Sequence, residues 1–293
     1  MATFLATKDR PLRCSKLAHL VKCSMRVYLL MLEESLIDDE GGPAAQIGSL
    51  THAGVAEFHR HPGNLLKRKK AAWDAIKTHA DKFPLADPDE VRLFITPYMD
   101  DPRNQEAKIW VQPLQGKDGR FRDTPMVEEE VYFTLPPHPL DPTGEPIHVW
   151  GHLDQIRDIN GVPKVVDLKT GKKTGWELIH DHAIQISAYC FGARQLGIKG
   201  CQPGPIIRAY GYRTTEAREQ KLLSPDGVFF NSPVSWDDVE LILENVRMHV
   251  GLMRAGHIQF GPGPHCTFCE FGGLSGCLQR YKDSELLQLG PPG

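Results

Sequence analysis

The spacing of apolar positions changes twice along the chain, and each change marks a change of structure. Over the first hundred residues apolar side chains recur at helical spacing. Leu17, Leu20, Val21, Leu29 and Leu32 predict a helix over 12–32. Further helices are expected over 44–59, 64–83 and 87–100, the last stopping early because Pro97 lacks a backbone donor. Residues 38–43 are acidic and contain Gly41-Gly42, and 113–125 is polar and contains glycine; both read as loops. From Val127 the period becomes two, which predicts strands over 127–135, 148–159, 162–168 and 206–214, with one more within 219–230. A proline-rich connection, 136–146, joins the first two. Helical spacing returns over 183–196 and 236–255, where Ser235 is the expected cap and Asp237 and Asp238 occupy the first turn. Residues 262–277 have no period.

That order implies an α/β fold: a central mixed β-sheet flanked by helices, with N-terminal helices and a C-terminal cysteine-rich tail. With no evident linker the expectation is one domain. Its parts are a helical stretch over 1–110, a sheet core over 127–232, and a long helix with the tail over 233–293.

Composition narrows the class. The chain has 293 residues, 41% hydrophobic and 24% charged, and this length can bury a core without disulfides. No run is long and apolar enough to span a bilayer, and residues 1–13 lack the apolar core of a secretory signal, so a cytoplasmic location is expected. Lys plus Arg number 34 and Asp plus Glu 37, a net charge of −3. A non-specific DNA-coating protein would be basic, whereas an enzyme needs only a local basic groove. There are seven cysteines, an odd number, and three of them form Cys266-x2-Cys269-x7-Cys277. In a reducing compartment that clustering suggests metal or iron–sulfur ligation rather than disulfides.

The candidate chemistry lies on a hairpin. Asn160-Gly161 between apolar strands is a two-residue turn signal. If Ile159 faces Val162, Asp154 lies directly opposite Asp167, with Cβ atoms about 4.5–5.5 Å apart. Like charges there repel unless a cation or a shared proton intervenes. Pro163 weakens this register, and a slip of one residue would send the two carboxylates to opposite faces. Lys169 shares a face with Asp167, while Val166 and Leu168 point into the core. An amine beside a metal-bound carboxylate can meet negative charge developing on a phosphate; the competing reading is a solvated Asp–Lys pair on a surface hairpin.

The strings Gly151-His-Leu-Asp154, Val165-Val-Asp167-Leu-Lys169-Thr-Gly171 and Gln185-Ile-Ser-Ala-Tyr189 resemble the PD-(D/E)xK nuclease superfamily in its RecB-like exonuclease branch. The stretch Cys23-Ser-Met-Arg26 resembles the N-terminal helix of the iron–sulfur members, Gly48-Ser-Leu-Thr-His52 their Gly-x-x-x-His helix, and the cysteine triplet their cluster-binding tail. The nearest groups are the CRISPR-associated and phage exonucleases, then the AddB nuclease domain.

The resemblance implies a restriction-endonuclease-like core. It implies that His52, Asp154, Asp167 and the backbone carbonyl of Leu168 ligate Mg2+ or Mn2+, with Lys169 as the catalytic lysine. Gln185 would orient Lys169 or the scissile phosphate, and Tyr189 would contact DNA or the site wall. It disfavours His152 as a ligand. It further implies a 4Fe-4S cluster, preferred over zinc, on Cys23, Cys266, Cys269 and Cys277, with Cys14 the rival to Cys23. Cys190 reads as a buried small hydrophobe, and Lys67 to Lys70 as a solvated helix face or a phosphate contact; Glu128 to Glu130 leads into a strand where the family often has an acidic residue, but reads first as a solvated edge. The implied activity is metal-dependent hydrolysis of DNA from its ends, with single strands preferred. The other reading is a DNA-end-binding or trimming module that acts with a CRISPR integrase or recombination partner.

Overall fold

A computed structural model describes residues 6–32, 42–115, 118–170, 176–209, 229–230, 234–259, 261 and 266. The chain forms two compact units, neither contiguous. One comprises 1–39, 134–149 and 243–293; the other comprises 40–133 and 150–242.

The second unit holds strands β2 (Lys108–Ile109), β3 (Val111–Gln115), β4 (Phe121–Pro125), β7 (Val162–Thr170), β8 (Gln202–Ala209) and β9 (Phe229–Phe230) and the greater part of β5 (Val127–Leu135) and β6 (Ile147–Ile159). The short strand β1 (Leu12–Arg13) belongs to the other unit. β6 pairs antiparallel with β7, β7 parallel with β8, and β8 antiparallel with β9, while β2 and β5 pair with β6. The sheet is therefore mixed.

The β6–β7 hairpin holds the expected register, with Ile159 opposite Val162 and Gln155 opposite Val166. Asn160 at φ +57° and Gly161 at φ +80° supply the two left-handed residues that this turn requires. Pro163 does no harm because it sits opposite Asp158, one step beyond the pair that closes the turn. That position is not hydrogen-bonded across the ladder, so the missing donor costs nothing.

Helices α3 (Pro43–Arg60) and α5 (Pro88–Asp100) pack on one face of this sheet, and α4 (Leu65–His79) packs on α3. Their Ile47, Leu50, Phe58, Ile76, Ile95 and Met99 share one buried cluster with Val166, Leu168 and Ile207. Asn64 caps α4 by accepting from the Lys67 amide at 3.1 Å, and Asp87 caps α5 by accepting from the Asp89 amide at 2.9 Å. α5 runs through Pro97 to Asp100, against the expected early stop. Burial of Tyr98 and Met99 beyond the proline holds the last turn in place. α6 (Pro102–Gln105) follows, and α7 (Trp176–Gln195) begins earlier than the period suggested. The expected loop at 113–125 is instead the β3–β4 hairpin, pairing Val111 with Pro125 through Gln115 with Phe121. Both strands are largely exposed, so they carry no apolar alternation to read.

The first unit contains α1 (Leu17–Lys22) and α2 (Ser24–Leu32) where one helix was expected. The break is Cys23, with extended backbone at φ −160° and ψ 94°. In the same unit the Met25 amide donates to the Gln259 carbonyl at 3.0 Å. Gly261 packs so close to the Lys22 carbonyl that an added Cβ would lie 2.1 Å from it. The last helix, α8 (Trp236–Arg254), opens with a reciprocal cap, in which the Ser235 amide donates to Asp238 and the Asp238 amide to Ser235 Oγ. No helix among the described residues is long and apolar enough to cross a membrane.

Candidate metal centre

Four side chains from four elements meet where β6 and β7 run side by side. Asp154 and Asp167 come one residue beyond Gln155 and Val166, the last pair of the hairpin ladder. Asp154 Oδ2 accepts the Leu168 amide at 2.5 Å, which ties the β6 carboxylate across to β7. His52 of α3 turns Nδ1 to Asp154 Oδ1 at 3.4 Å and to Glu128 Oε1 at 2.8 Å. A glycine makes this approach possible. Gly48, one turn before His52, packs against Thr170 of β7, and a Cβ there would lie 3.0 Å from Thr170 Oγ1. A larger residue would press on the Thr170 side chain and force this helix–strand contact to give by a few tenths of an ångström.

On the same side of β7 as Asp167, Lys169 Nζ donates to Asp167 Oδ1 at 2.8 Å and to Gln185 Oε1 of α7 at 3.4 Å. Gln185 Nε2 in turn donates to Tyr189 Oη at 3.2 Å, and His182 Nδ1 lies 3.3 Å from Gln185 Oε1. Tyr189 is 3% exposed. Its ring cannot stack on a nucleobase; it forms the wall behind Gln185.

The electrostatics are unequal. Burial pushes the Asp167 carboxyl up to about 6, helped by Asp154 and only partly opposed by Lys169. Asp167 Oδ2 is buried without a hydrogen-bond partner. Burial works against ionised Asp154 too, but His52, Lys169 and the Leu168 amide outweigh it and hold its carboxyl below the usual value. For His52 burial favours the neutral ring, yet the charges of Asp154 and Glu128 prevail and raise its pKa well above the ordinary value. The Lys169 ammonium is likewise held charged by Asp167 and Asp154 against its burial.

One atom each of His52, Glu128 and Asp154 lie within 4.8 Å of one another. Two carboxylates are hard oxygen donors of the kind that suits Mg2+ or Mn2+, and the borderline imidazole beside them is the better match for Mn2+. The orphaned Asp167 oxygen beside them is the cost expected of a ligand whose partner is a cation. The residues present therefore fit a divalent ion. His52, Asp154, Asp167, Lys169, Gln185 and Tyr189 are thus brought together as the sequence suggested. Leu168 takes part through its amide, and its side chain is buried.

Glu128 corrects the expectation of a solvated edge. It is half-buried and lies in the site. It has φ +49°, left-handed backbone that a glutamate rarely adopts and that costs about 1–2 kcal/mol. In the sequence it is one of three consecutive glutamates, and nothing local separates it from the others. His152 is exposed and sets its ring against Trp150, outside the group. The basic run on α4 is largely occupied by the protein itself. Lys69 pairs with Asp100 and Lys70 with Asp74, both at 2.5 Å, and Arg68 donates to the carbonyls of Phe58 and Gln105.

The cysteines do not form a metal group among the described residues. Cys14, Cys23, Cys190 and Cys201 are buried free thiols and Cys266 is half-buried; Cys269 and Cys277 lie outside the described residues. Cys190 is buried as expected, and its thiol is pushed up by burial and by a hydrogen bond to Cys201, a partner the sequence did not suggest.

Among curated proteins the chain has no match. A solved structure titled "Crystal structure of SSO0001" is similar to it at 16% identity with a TM-score of 0.37, covering 87% of this chain and 81% of that one, a likeness too remote to bear on the site. The PD-(D/E)XK nuclease superfamily matches residues 11–274. That span holds the paired carboxylates, the lysine beside them and the helix that brings His52 to the sheet, and the chain belongs to the PD-(D/E)XK nuclease superfamily.

Proposed function

We propose that this protein is a Mg2+- or Mn2+-dependent deoxyribonuclease that hydrolyses phosphodiester bonds from DNA ends. The observation that carries the reading is the buried, unpartnered oxygen of Asp167 beside the His52, Glu128 and Asp154 trio. His52, Glu128, Asp154 and Asp167 would hold the ion. When bound, it supplies Lewis-acid polarisation of the phosphoryl group and a more acidic water. Lys169, kept charged by two carboxylates, meets the negative charge that develops on the phosphate. Gln185 fixes the ammonium from the α7 side, and Tyr189 fixes Gln185, so the lysine is held in place before substrate arrives. Intact carboxylates and lysine favour an enzyme over a DNA-end-binding module that depends on an integrase or recombination partner.

The preference for ends over closed circles, and for single strands, extends the family resemblance. End-labelled single- and double-stranded DNA and a closed circle, each with Mg2+, Mn2+ or EDTA, test it. Cleavage of linear DNA that EDTA abolishes is the expected result. Cleavage that survives chelation overturns the mechanism, and equal rates on the closed circle overturn the exonuclease reading.

The proposal includes a 4Fe-4S cluster on Cys23, Cys266, Cys269 and Cys277, serving as a structural staple because hydrolysis moves no electrons. Two features support it: Cys23 interrupts the N-terminal helix, and Gly261 packs against Lys22 just before Cys266 in the chain. Anaerobically purified protein should carry about four irons per chain. One zinc and no iron would remove the cluster and leave the nuclease reading intact.

A further inference from the structure

Two features of β5 converge on one side chain of α3. Glu128 adopts φ +49°. Arg60, which shares α3 with His52, directs Nη2 at the carbonyls on either side of that kink: Val127 O at very short range and Glu128 O at 3.3 Å. The same nitrogen lies 3.5 Å from Glu129 Oε1, and Nη1 lies 3.5 Å from Glu57 Oε1. A left-handed residue other than glycine persists only where its surroundings over-determine it.

The kink matters because of the strand's alternation. Val127, Val131, Phe133 and Leu135 are buried, whereas Glu130 and Tyr132 are exposed. In a regular strand Glu128 would share their exposed side. With the kink, its carboxylate instead meets His52 Nδ1 at 2.8 Å. One helix thus supplies both a member of the site and the clamp on the backbone that aims another member at it.

We propose that Arg60 is a positioning residue: by holding the two carbonyls at the Glu128 kink, it fixes the Glu128 carboxylate as a ligand of the cation site. This rests on the reading of His52, Glu128 and Asp154 as that site. The planar fork is what suits arginine to the task, since a lysine ammonium keeps the charge but cannot span two carbonyls in one fixed geometry.

Mn2+ affinity, measured on the full chain by the loss of free-ion electron paramagnetic resonance signal, tests the inference without reference to cleavage. Arg60→Ala should weaken Mn2+ binding about tenfold or more, the usual effect of losing a group that orients a ligand. In a Glu128→Gln background the same substitution should change the affinity by less than about twofold, because the ligand it positions is already gone. Should Arg60→Ala fail to fold, Arg60→Lys carries the same comparison. Unchanged affinity in Arg60→Ala, or equal weakening in both backgrounds, overturns the inference. If at the same time Asp154→Asn abolishes binding, the cation site stands and only the role of Arg60 falls. If the wild-type chain binds no Mn2+, the site itself falls and takes the inference with it.

Discussion

Two buried acid–base pairs in this protein look alike and are not. In the first unit Arg254 of α8 meets Asp141 at 2.7 Å, and both side chains are almost fully buried. In the second unit Lys169 meets Asp167 at 2.8 Å, and the carboxylate is fully buried. The Asp141 pair is complete. Asp141 also accepts from the Thr143 amide and hydroxyl, and Arg254 donates to the carbonyls of Glu145, Pro146 and Ala6. Burial would raise the Asp141 carboxyl, but these hydrogen bonds and the guanidinium hold it below its usual value. The Asp167 pair is incomplete: one carboxylate oxygen has no partner, a second aspartate stands beside it, and its pKa rises to about 6. A buried charge with every hydrogen bond made is a structural fastening. One left with an open acceptor among other carboxylates has a place for something that is not protein.

The largest effect expected from this contrast is on activity. Asp167→Asn should cut DNA cleavage about a thousandfold or more, since it removes a charge worth several kcal/mol to the transition state. Its melting temperature without metal should change little or rise, because burial and the neighbouring Asp154 already work against the Asp167 charge. Near wild-type cleavage would mean that the open pair is not the centre of the chemistry.

Arg254→Ala should do the reverse. It strands a buried carboxylate and should cost about 3–5 kcal/mol in urea unfolding, while replacing Arg254 and Asp141 together with apolar residues should recover part of that loss. A cost below about 1 kcal/mol would mean that the Asp141 pair is no structural fastening. The same pair sets an acid limit. The folded Asp141 carboxyl lies below its unfolded value, so its contribution is present above about pH 4 and is lost as pH falls through the folded value. Melting temperatures followed from about pH 5 to 2 should fall less steeply in Asp141→Asn than in the wild type.

The smallest effect concerns how closely α3 sits on the sheet. Gly48→Ala gains about 0.5–1 kcal/mol of helix preference but brings a Cβ to 3.0 Å from Thr170 Oγ1. Stability should stay nearly level while cleavage drops several-fold, because His52 is displaced from Asp154. Thr170→Ala should restore it. Cleavage that is unchanged in Gly48→Ala would show that the close packing serves only the core.

The hairpin was legible because its information is local. Asn160-Gly161 admits one tight turn, the turn sets the register, and the register sets Asp154 beside Asp167 and places Lys169 on the same side of β7 as Asp167. Period-two and helical spacing likewise located β5, β6 and α3 to within a residue or so. The exposed β3–β4 hairpin escaped because it buries no alternating face, and the break at Cys23 escaped because the apolar spacing continues on both sides of it.

What the sequence alone determined is the pairing of the carboxylates, since neighbours in a hairpin depend on a handful of adjacent residues. Tertiary structure decided the role of Glu128. Three identical glutamates stand in a row, and the one that enters the site is selected by a backbone kink clamped by Arg60, 68 residues earlier in the chain. No local propensity favours a left-handed glutamate; only the packing of α3 against the start of β5 makes it the lowest-energy choice.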